Sequence, residues 1–326
     1  EEFKPMTTPY TPPQLSPDLD LLTQSAQDSD IAIVTLGRNA GEGGDRVEKG
    51  DFLLTDMEKK LIQDVSEAFH GVGKKCIVVM NIGGVIETSS WKALPDAILL
   101  AWQGGQEGGN AVADILSGKV NPSGKLPMTF PVHLADHASS ANFPMDGEPI
   151  SFTDALFGVE EKAESEKIPN KDFTKYEEGI YVGYRHFDKN DLDVSYPFGY
   201  GLSYTAFDMG AMEISTVDSS VDVGITVKNI GQVPGKEVIQ IYSSLPETSI
   251  DRPSRELRAF AKTPLLQPGD STRIKMSVPV SELSYWNEDR SDWEIEAGTY
   301  VLEAGTSSRD LRSSVSVEVG LPSEDQ

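Results

Sequence analysis

The stretch IAIVTLGRNAGEGGDR, residues 31 to 46, places a glycine-rich loop directly after an apolar run. The run IAIVTLG, residues 31–37, has the composition of a strand buried in a sheet. Glycine-rich loops after such strands often bind phosphate, but this loop contains Glu42 and Asp45 and lacks a Gly-Lys-Ser/Thr sequence. It is therefore either a solvated surface loop or the carrier of an acid at a ligand site. Its glycines are compatible with either role, because glycine adopts backbone conformations that other residues avoid.

The chain around this stretch alternates short apolar strands with helices between residue 16 and about residue 132. Thr55 stands three residues before Glu58, which is the spacing of a capping box at a helix start. The other predicted elements are a helix over 16–28, strands over 76–82 and 97–102, and a helix over 107–118. This alternation predicts an α/β fold with a mostly parallel sheet covered by helices on both faces. Ligands of such sheets bind at the carboxyl ends of the strands, where Glu42 is located.

The second half of the chain has a different pattern. Between residues 134 and 208 the periodicity fades, and we expect this irregular segment to pack back on the α/β domain. After it, seven short runs alternate apolar and polar residues, as in a β-sandwich. These runs are 211–216, 221–229, 237–244, 256–263, 272–278, 299–305 and 312–319. We therefore predict an α/β domain over residues 1–208 and an all-β sandwich over residues 209–326.

The composition narrows the classes of ligand. The chain has 52 acidic and 28 basic side chains, which gives a net charge of −24. Such a charge repels nucleic acid and anionic membranes, whereas a neutral sugar is not repelled. The single cysteine, Cys76, cannot form an internal disulfide, and no apolar run reaches the length of a membrane span. No signal peptide is visible, and because the chain opens at Glu1 we expect a processed or cut N-terminus.

Three further charged residues are candidates for a role at the strand ends. Asp45 and Arg46 are expected to pair and shape the loop rather than to act in catalysis. Glu107 follows another predicted strand, but an acid there also suits the start of a helix, where the helix dipole favours negative charge. We interpret Glu107 as a helix start.

Histidine and tryptophan residues give weaker signals. His133 and His137 lie four residues apart without the glutamate of a zinc protease motif, so we interpret them as a surface loop and predict no metal site. Trp286 and Trp293 in the predicted sandwich are expected to be core or edge-packing residues rather than sugar-stacking ones.

Several motifs together resemble the C-terminal half of glycoside hydrolase family 3, which contains β-glucosidases and β-xylosidases. In the α/β part these are GRNAGEGGDR (37–46), QGGQEGGNAVADILSGKVNPSGKLPMTFP (103–131), YEEGIYVGYRHFD (176–188) and YPFGYGLSYTAF (196–207). The predicted sandwich resembles the fibronectin type III-like domain of the family. Its motifs are VKNIGQVPGKEVIQIY (227–242), RELRAF (255–260) and LLQPGDS (265–271).

The resemblance implies a catalytic role for Glu42. In the family, a (β/α)8 barrel supplies a nucleophilic aspartate, and a Gly-Glu-Gly loop of the α/β domain supplies the general acid/base. Glu42 matches that position, and Arg38, Asp45 and Arg46 become candidates for substrate binding. The position after the second glycine is aromatic in some relatives but is Gly44 here, which would weaken stacking on the outer sugar.

The implied activity is that of a retaining β-glycosidase, most simply a β-glucosidase acting on terminal non-reducing β-D-glycosyl residues without a cofactor. No family-type nucleophile motif is found in the 326 residues. We therefore expect the barrel to be the missing partner and the isolated chain to be inactive. We further expect a periplasmic or secreted bacterial location and a β-linked oligosaccharide or glycoside as ligand. No nucleic acid or membrane partner is expected, and the enzyme could form a homodimer. The alternative is a non-catalytic carbohydrate-binding or structural module on the same scaffold.

Overall fold

The computed structural model of this chain describes residues 16–38, 48–142, 176–217 and 219–320. They form two compact units. The first comprises Glu1–Val112 and Pro131–Glu177, and the second comprises Ala113–Phe130 and Glu178–Gln326. This division differs from the predicted boundary between residues 208 and 209, because residues 178–208 are grouped with the sandwich. The predicted domain limits therefore stay a prediction.

A parallel sheet forms the centre of the first unit. Its strands, in spatial order, are β1 (Ile31–Gly37), β2 (Lys75–Asn81) and β3 (Ala97–Leu100). Gly37 lies opposite Asn81, and Met80 lies opposite Leu100, so the three strands end at one level. The predicted parallel sheet is confirmed, with each strand start within one residue of its predicted position.

Three helices accompany these strands: α1 (Leu19–Asp28), α2 (Asp56–His70) and α3 (Gly108–Leu116). Helix α2 begins with the predicted capping box, in which Thr55 and Glu58 each accept a hydrogen bond from the other's backbone. Helix α1 begins later than predicted. The carboxylate of Asp18 accepts a hydrogen bond from the amide of Asp20 at 3.2 Å, which makes Asp18 the N-cap.

One face of β1 is covered by helix α2. Helix α2 contacts both β1 and β2, and Val34 and Leu36 on that face are buried. Ile31 and Ile33, on the opposite face, are 42% and 50% exposed. The expected cover on both faces is thus absent at β1 among the described residues. The burial of alternate residues in this strand is that of a half-buried strand rather than a central one.

The division between the units falls within α3 and again within β4 (Phe130–Pro131). Helix α4 (Tyr184–Lys189) and β5 (Val194–Tyr196) follow, and β5 pairs with β4. The ring of Phe130 meets the ring of Tyr196 edge-on at 6.1 Å between centroids. Part of the predicted irregular segment is therefore built of short, ordered elements.

Ten strands follow among the described residues of the second unit. They are β6 (Phe207–Met209), β7 (Glu213–Val217), β8 (Ser220–Asn229), β9 (Val238–Ser244), β10 (Glu256–Lys262), β11 (Ser271–Pro279), β12 (Tyr285–Asn287), β13 (Asp292–Glu294), β14 (Gly298–Ser307) and β15 (Asp310–Val319). One antiparallel sheet has the order β10-β9-β14-β15, and the other has the order β11-β8-β6, with β7 also paired to β8. All seven predicted strands are confirmed to within two residues.

The sandwich core comes from alternate residues of these strands. On β8, Val223, Ile225 and Val227 are at most 2% exposed, and on β9 Ile239 and Ile241 are fully buried. They belong to one cluster of buried apolar side chains with the inward residues of β11, β14 and β15. The apolar residues predicted to alternate with polar ones along these strands are the residues that are buried in the structure.

Asn121, in the motif NPSGK, connects three stretches of the second unit. Its side-chain oxygen accepts hydrogen bonds from the hydroxyl of Ser203 at 2.9 Å and from the amide of Tyr204 at 2.8 Å. Its side-chain nitrogen donates to the carbonyl of Pro234 at 2.9 Å. One amide thereby holds together the motifs NPSGK, GLSYT and VPGKEV.

Lys125, four residues further along, makes a nearly buried ion pair in the same place. Its Nζ lies 2.8 Å from Oε1 of Glu237 and also donates to the carbonyl of Gly201 at 2.8 Å. Both charged side chains are only 11% exposed. These contacts explain why residues near 200, predicted to pack on the α/β domain, are grouped with the sandwich.

Candidate active site

The candidate site lies at the carboxyl edge of the parallel sheet, where three loops leave the strands at one level. Neighbouring strands are about 4.8 Å apart, so the ends of β1 and β3 are separated by roughly 10 Å. Ligands of parallel α/β sheets bind at this edge. The loop that contains Glu42 follows β1.

The first residue after β1 is held firmly by its side chain. Arg38 Nη1 and Nη2 donate to the two carboxylate oxygens of Glu58, at 2.6 and 2.8 Å. Its Nε donates to the carbonyl of Asp51 at 2.9 Å, and Nη1 also donates to the carbonyl of Gly37 at 2.8 Å. A guanidinium bound in this two-pronged way to a carboxylate is fixed in orientation as well as position. We call the Arg38–Glu58 pair the loop anchor.

Glu58 in the loop anchor is ionised because its hydrogen bonds outweigh its burial. Burial, the largest single influence, acts to raise the pKa of this carboxyl. Hydrogen bonds from the Arg38 side chain and from the Thr55 backbone, with the charge of Arg38, together hold the pKa below its usual value. The pair is therefore charged at neutral pH.

The described chain resumes at Glu48, and this far stem is also fixed. The amide of Leu53 donates to the carbonyl of Glu48 at 2.8 Å, and the amide of Glu87 donates to the carbonyl of Phe52 at 2.8 Å. Phe52 is 1% exposed. Both stems of the loop are thus anchored in the first unit.

Three predicted site residues, Glu42, Asp45 and Arg46, lie outside the described residues, as does Gly44. Their predicted roles stay predictions. Arg38, the fourth predicted site residue, has its guanidinium engaged with protein oxygens, which indicates that it positions the loop.

A residue that the sequence analysis missed lies on the loop after β3. Trp102 has φ +51°, a left-handed conformation that is uncommon for bulky residues and is concentrated at functional sites. Gly104 lies two residues further along. A Cβ there would lie 2.8 Å from the Cα of Gly108, so only glycine fits. The sequence signal for this turn is a tryptophan shortly before paired glycines.

Glu107 takes the position predicted for it. It directly precedes α3, its carbonyl accepts the amide of Ala111 at 2.9 Å, and its carboxylate accepts the side-chain amide of Asn110 at 2.6 Å. These are the bonds of a helix start.

The loop after β2 contains a second buried acid, Glu87, which the sequence analysis also missed. Its carboxylate accepts the amide of Ser90 at 2.6 Å and the Ser90 hydroxyl at 2.8 Å. Its carbonyl accepts the indole N–H of Trp91, which is fully buried at 1% exposure. Glu87 therefore stabilises this loop through contacts within the loop itself. Its neighbours in the sequence do not distinguish Glu87 from an acid on the surface.

The structure describes both the histidine pair and the tryptophan pair. His133 directly precedes a short 3-10 turn (Leu134–Asp136) and is exposed, and His137 lies between that turn and the next (Ala138–Ala141) and is half-buried. The described residues contain no group of three or more acidic, histidine or cysteine side chains suited to a metal. For Trp286 and Trp293 the prediction was core or edge packing, and their exposure excludes the core. They are 49% and 64% exposed and pack edge-on against each other at 5.6 Å.

Two family models match the chain. The glycosyl hydrolase family 3 C-terminal domain matches residues 16–204, more than half of the chain. The fibronectin type III-like domain matches residues 237–308, within the sandwich. None of the described helices has both the length and the apolar character needed to span a membrane.

Similar proteins are longer than this chain. "Beta-glucosidase A" of Butyrivibrio fibrisolvens is 37% identical over 90% of the chain, which spans 38% of that relative. An exo-α-(1→6)-L-arabinopyranosidase of Bifidobacterium breve is 31% identical over 90% of the chain, which spans 35% of it.

Among solved structures, β-glucosidase 3B of Thermotoga neapolitana in complex with glucose superposes with a TM-score of 0.84 at 40% identity. The match covers 97% of this chain and 42% of that structure. The fold, the order of the two domain types and the matched motifs agree along nearly the whole chain. The chain therefore belongs to glycoside (glycosyl) hydrolase family 3, in which it corresponds to the C-terminal α/β domain followed by a fibronectin type III-like domain.

Proposed function

We propose that this chain is the C-terminal part of a retaining β-glycosidase, most simply a β-glucosidase, and that Glu42 is its general acid/base. The nucleophile comes from a (β/α)8 barrel outside these 326 residues. The chain on its own is inactive in this proposal, because it supplies only one of the two carboxyl groups that the reaction needs.

The loop anchor is the observation that supports this role best. A general acid must be placed within hydrogen-bond reach of the glycosidic oxygen, so the loop carrying it needs fixed ends. Arg38 and Phe52 provide such ends at the carboxyl edge of the sheet, one through a nearly buried ion pair and the other through a buried ring. A loop that only contributed solubility would need neither.

The chemistry then proceeds in two steps. Glu42, protonated, gives its proton to the glycosidic oxygen while the barrel carboxylate attacks the anomeric carbon and the aglycone leaves. Glu42, now ionised, takes a proton from water, which attacks the anomeric carbon and releases the sugar with its configuration retained. The two carboxyl groups of a retaining enzyme are about 5–5.5 Å apart, which fits an acid brought to the barrel by a loop.

The expected substrate is a neutral β-glucoside. β-Glucosidases are prominent among the similar proteins, and the net charge of −24 disfavours anionic substrates. The arabinopyranosidase from Bifidobacterium breve shows that a related chain can belong to an enzyme for another sugar. Such a difference in sugar between related chains agrees with a barrel, rather than this chain, that selects the sugar to be removed. A periplasmic or secreted location and a homodimer remain part of the proposal.

The alternative is a non-catalytic carbohydrate-binding or structural module. The two proposals differ in what Glu42 does: in an enzyme its removal slows the reaction, whereas in a binding module it would change only the affinity for carbohydrate. An acid on a glycine-flanked loop whose two stems are anchored favours the enzyme, since a binding module needs no proton donor.

The test compares Glu42→Ala with Glu48→Gln in the enzyme that joins this chain to its barrel. Glu48 is an exposed acid just after the same loop and serves as the matched control. Glu42→Ala should lower kcat/KM on an alkyl β-glucoside by orders of magnitude. On 2,4-dinitrophenyl β-glucoside the loss should be much smaller, because that phenolate leaves without a proton.

Glu48→Gln should retain both rates. Equal losses on the two substrates would contradict the acid role, and wild-type rates for Glu42→Ala would remove Glu42 from the mechanism altogether.

A further inference from the structure

A hairpin of the second unit presents two tryptophans to solvent. Strands β12 and β13 pair only with each other among the described strands, and Trp286 lies directly opposite Trp293. Residues directly opposite in an antiparallel pair point to the same face. Their exposures of 49% and 64% are high for a residue type that is usually well buried. We call residues 285–294 the tryptophan hairpin.

The other face of the tryptophan hairpin is held by polar bonds. Glu294 accepts hydrogen bonds from the hydroxyl of Tyr285 at 3.1 Å and from the side-chain amide of Asn287 at 2.8 Å. Arg290 forms an ion pair with Glu294 at 2.8 Å. These bonds hold together the face of the hairpin opposite the two indoles, which lowers the conformational freedom that the hairpin would lose on binding.

We propose that the tryptophan hairpin is a binding site for neutral β-linked glucan. All ring substituents of a β-glucosyl residue are equatorial, which leaves two flat C–H faces on each sugar. These apolar faces stack on the electron-rich face of an indole. The ring planes of Trp286 and Trp293 are inclined by 72°. The pair therefore presents no single flat surface to a flat aromatic ligand, and the open parts of the two indoles would contact different sugars of a twisted glucan chain.

The charges next to the indoles favour a neutral ligand over a second copy of this chain. Glu288, Asp289 and Asp292 lie within the hairpin and are exposed, and its one basic residue, the exposed Arg290, is paired with Glu294. In a symmetric dimer each hairpin would face the same acids on its partner, and like charges placed together across an interface disfavour it. A glucan brings no charge, and its hydroxyls can donate hydrogen bonds to these carboxylates.

The inference rests on the proposed function for the identity of the sugar. The site would hold a polymeric β-glucan near an enzyme that removes terminal glucose, which raises the local concentration of chain ends without taking part in the chemistry.

Affinity electrophoresis tests the site on the enzyme that joins this chain to its barrel. We expect native gels with dissolved mixed-linkage β-glucan to retard this enzyme. Dextran, an α-glucan, should have little effect, and anionic carboxymethylcellulose should retard it less. Trp286→Ala and Trp293→Ala should each weaken the retardation by roughly tenfold or more in glucan concentration. Phe260→Ala, which removes a 70% exposed aromatic ring elsewhere on the sandwich, should leave it unchanged.

Further variants separate the possible causes of a result. Trp286→Phe and Trp293→Phe keep an aromatic face and should retain part of the binding, which a merely unfolded hairpin would not. Glu42→Gln should bind glucan as the wild type does, so a failed catalytic role would leave this result standing. Retardation that is absent, or unchanged in both alanine variants, would overturn the proposal. So would a dimer, detected by light scattering, that both alanine variants abolish, because it would assign the surface to a second copy.

Discussion

Arg38 and Glu58 form a two-pronged ion pair, with 2.6 and 2.8 Å between their nitrogen and oxygen atoms and at most 9% of either side chain exposed. The pair joins the first residue after β1 to the first turn of α2, twenty positions along the chain. It therefore fixes the point at which the loop carrying Glu42 leaves the sheet.

Breaking this pair from one side should be strongly destabilising. Arg38→Met leaves the Glu58 carboxylate nearly buried and without its main partner, which typically lowers the free energy of unfolding by about 3–5 kcal/mol. Lys60→Met is the matched control, since the Lys60–Asp64 pair lies on the surface of the same helix and should change stability by about 0.5 kcal/mol or less. Urea unfolding measures both. Equal, small effects would show that the loop anchor contributes no more than a surface pair.

The loop anchor should also make stability depend on pH. The pKa of Glu58 is lower in the folded chain than in the unfolded one, where it is about 4.3. The resulting stabilisation is fully present above the unfolded value and is lost as pH falls through the folded one. The difference in unfolding free energy between wild type and Glu58→Gln should therefore shrink as the pH is lowered from 6 to below about 4. A difference that is constant over this range would contradict the ionised state of Glu58.

Local patterns predicted much of this fold, because the signals that set it are local. Alternation over Val223, Ile225 and Val227 specifies one buried strand face, and the spacing of Thr55 and Glu58 specifies a helix start. Even at helix α1 the error was two positions in the N-cap, since Ser16 and Asp18 are both good capping residues.

Features set by distant partners could not be predicted in this way. The sequence neighbours of Arg38 do not reveal that α2 brings Glu58 to it, and its candidacy for substrate binding stays a prediction. The exposure of Trp286 and Trp293 depends on a hairpin outside both large sheets. The proposed catalytic role of Glu42 comes from the sequence motif around it, and the anchored stems of its loop support that role.

The ion pair between Lys125 and Glu237 should show the behaviour of a nearly buried pair. Lys125→Met alone leaves the Glu237 carboxylate without its charged partner and should lower the unfolding free energy by about 3–5 kcal/mol. The double variant with Glu237→Met should recover much of that loss, because it leaves no buried charge. A double-mutant cycle from urea unfolding gives the coupling. Simple additivity of the two losses would contradict a direct interaction.

The isolated chain should fold and yet show no glycosidase activity. Its sandwich has a continuous core and its parallel sheet has one well-buried face, but the proposed nucleophile lies elsewhere. We expect a cooperative thermal transition and no turnover of an aryl β-glucoside, with partial recovery when a separately produced barrel is added. Turnover by the highly purified chain, abolished by a substitution within it, would place a nucleophile in these residues.

The central claim, that Glu42 is the acid/base and not the nucleophile, is tested most directly by the stereochemistry of azide rescue. In Glu42→Ala joined to its barrel, 2,4-dinitrophenyl β-glucoside should form the glycosyl-enzyme, which then persists because water lacks its base. Azide needs no base. It should attack the anomeric carbon of the intermediate, displace the barrel carboxylate and give β-glucosyl azide, identified by NMR. α-Glucosyl azide would instead show that azide had taken the place of a nucleophilic Glu42, and the absence of any azide adduct would contradict the acid/base role.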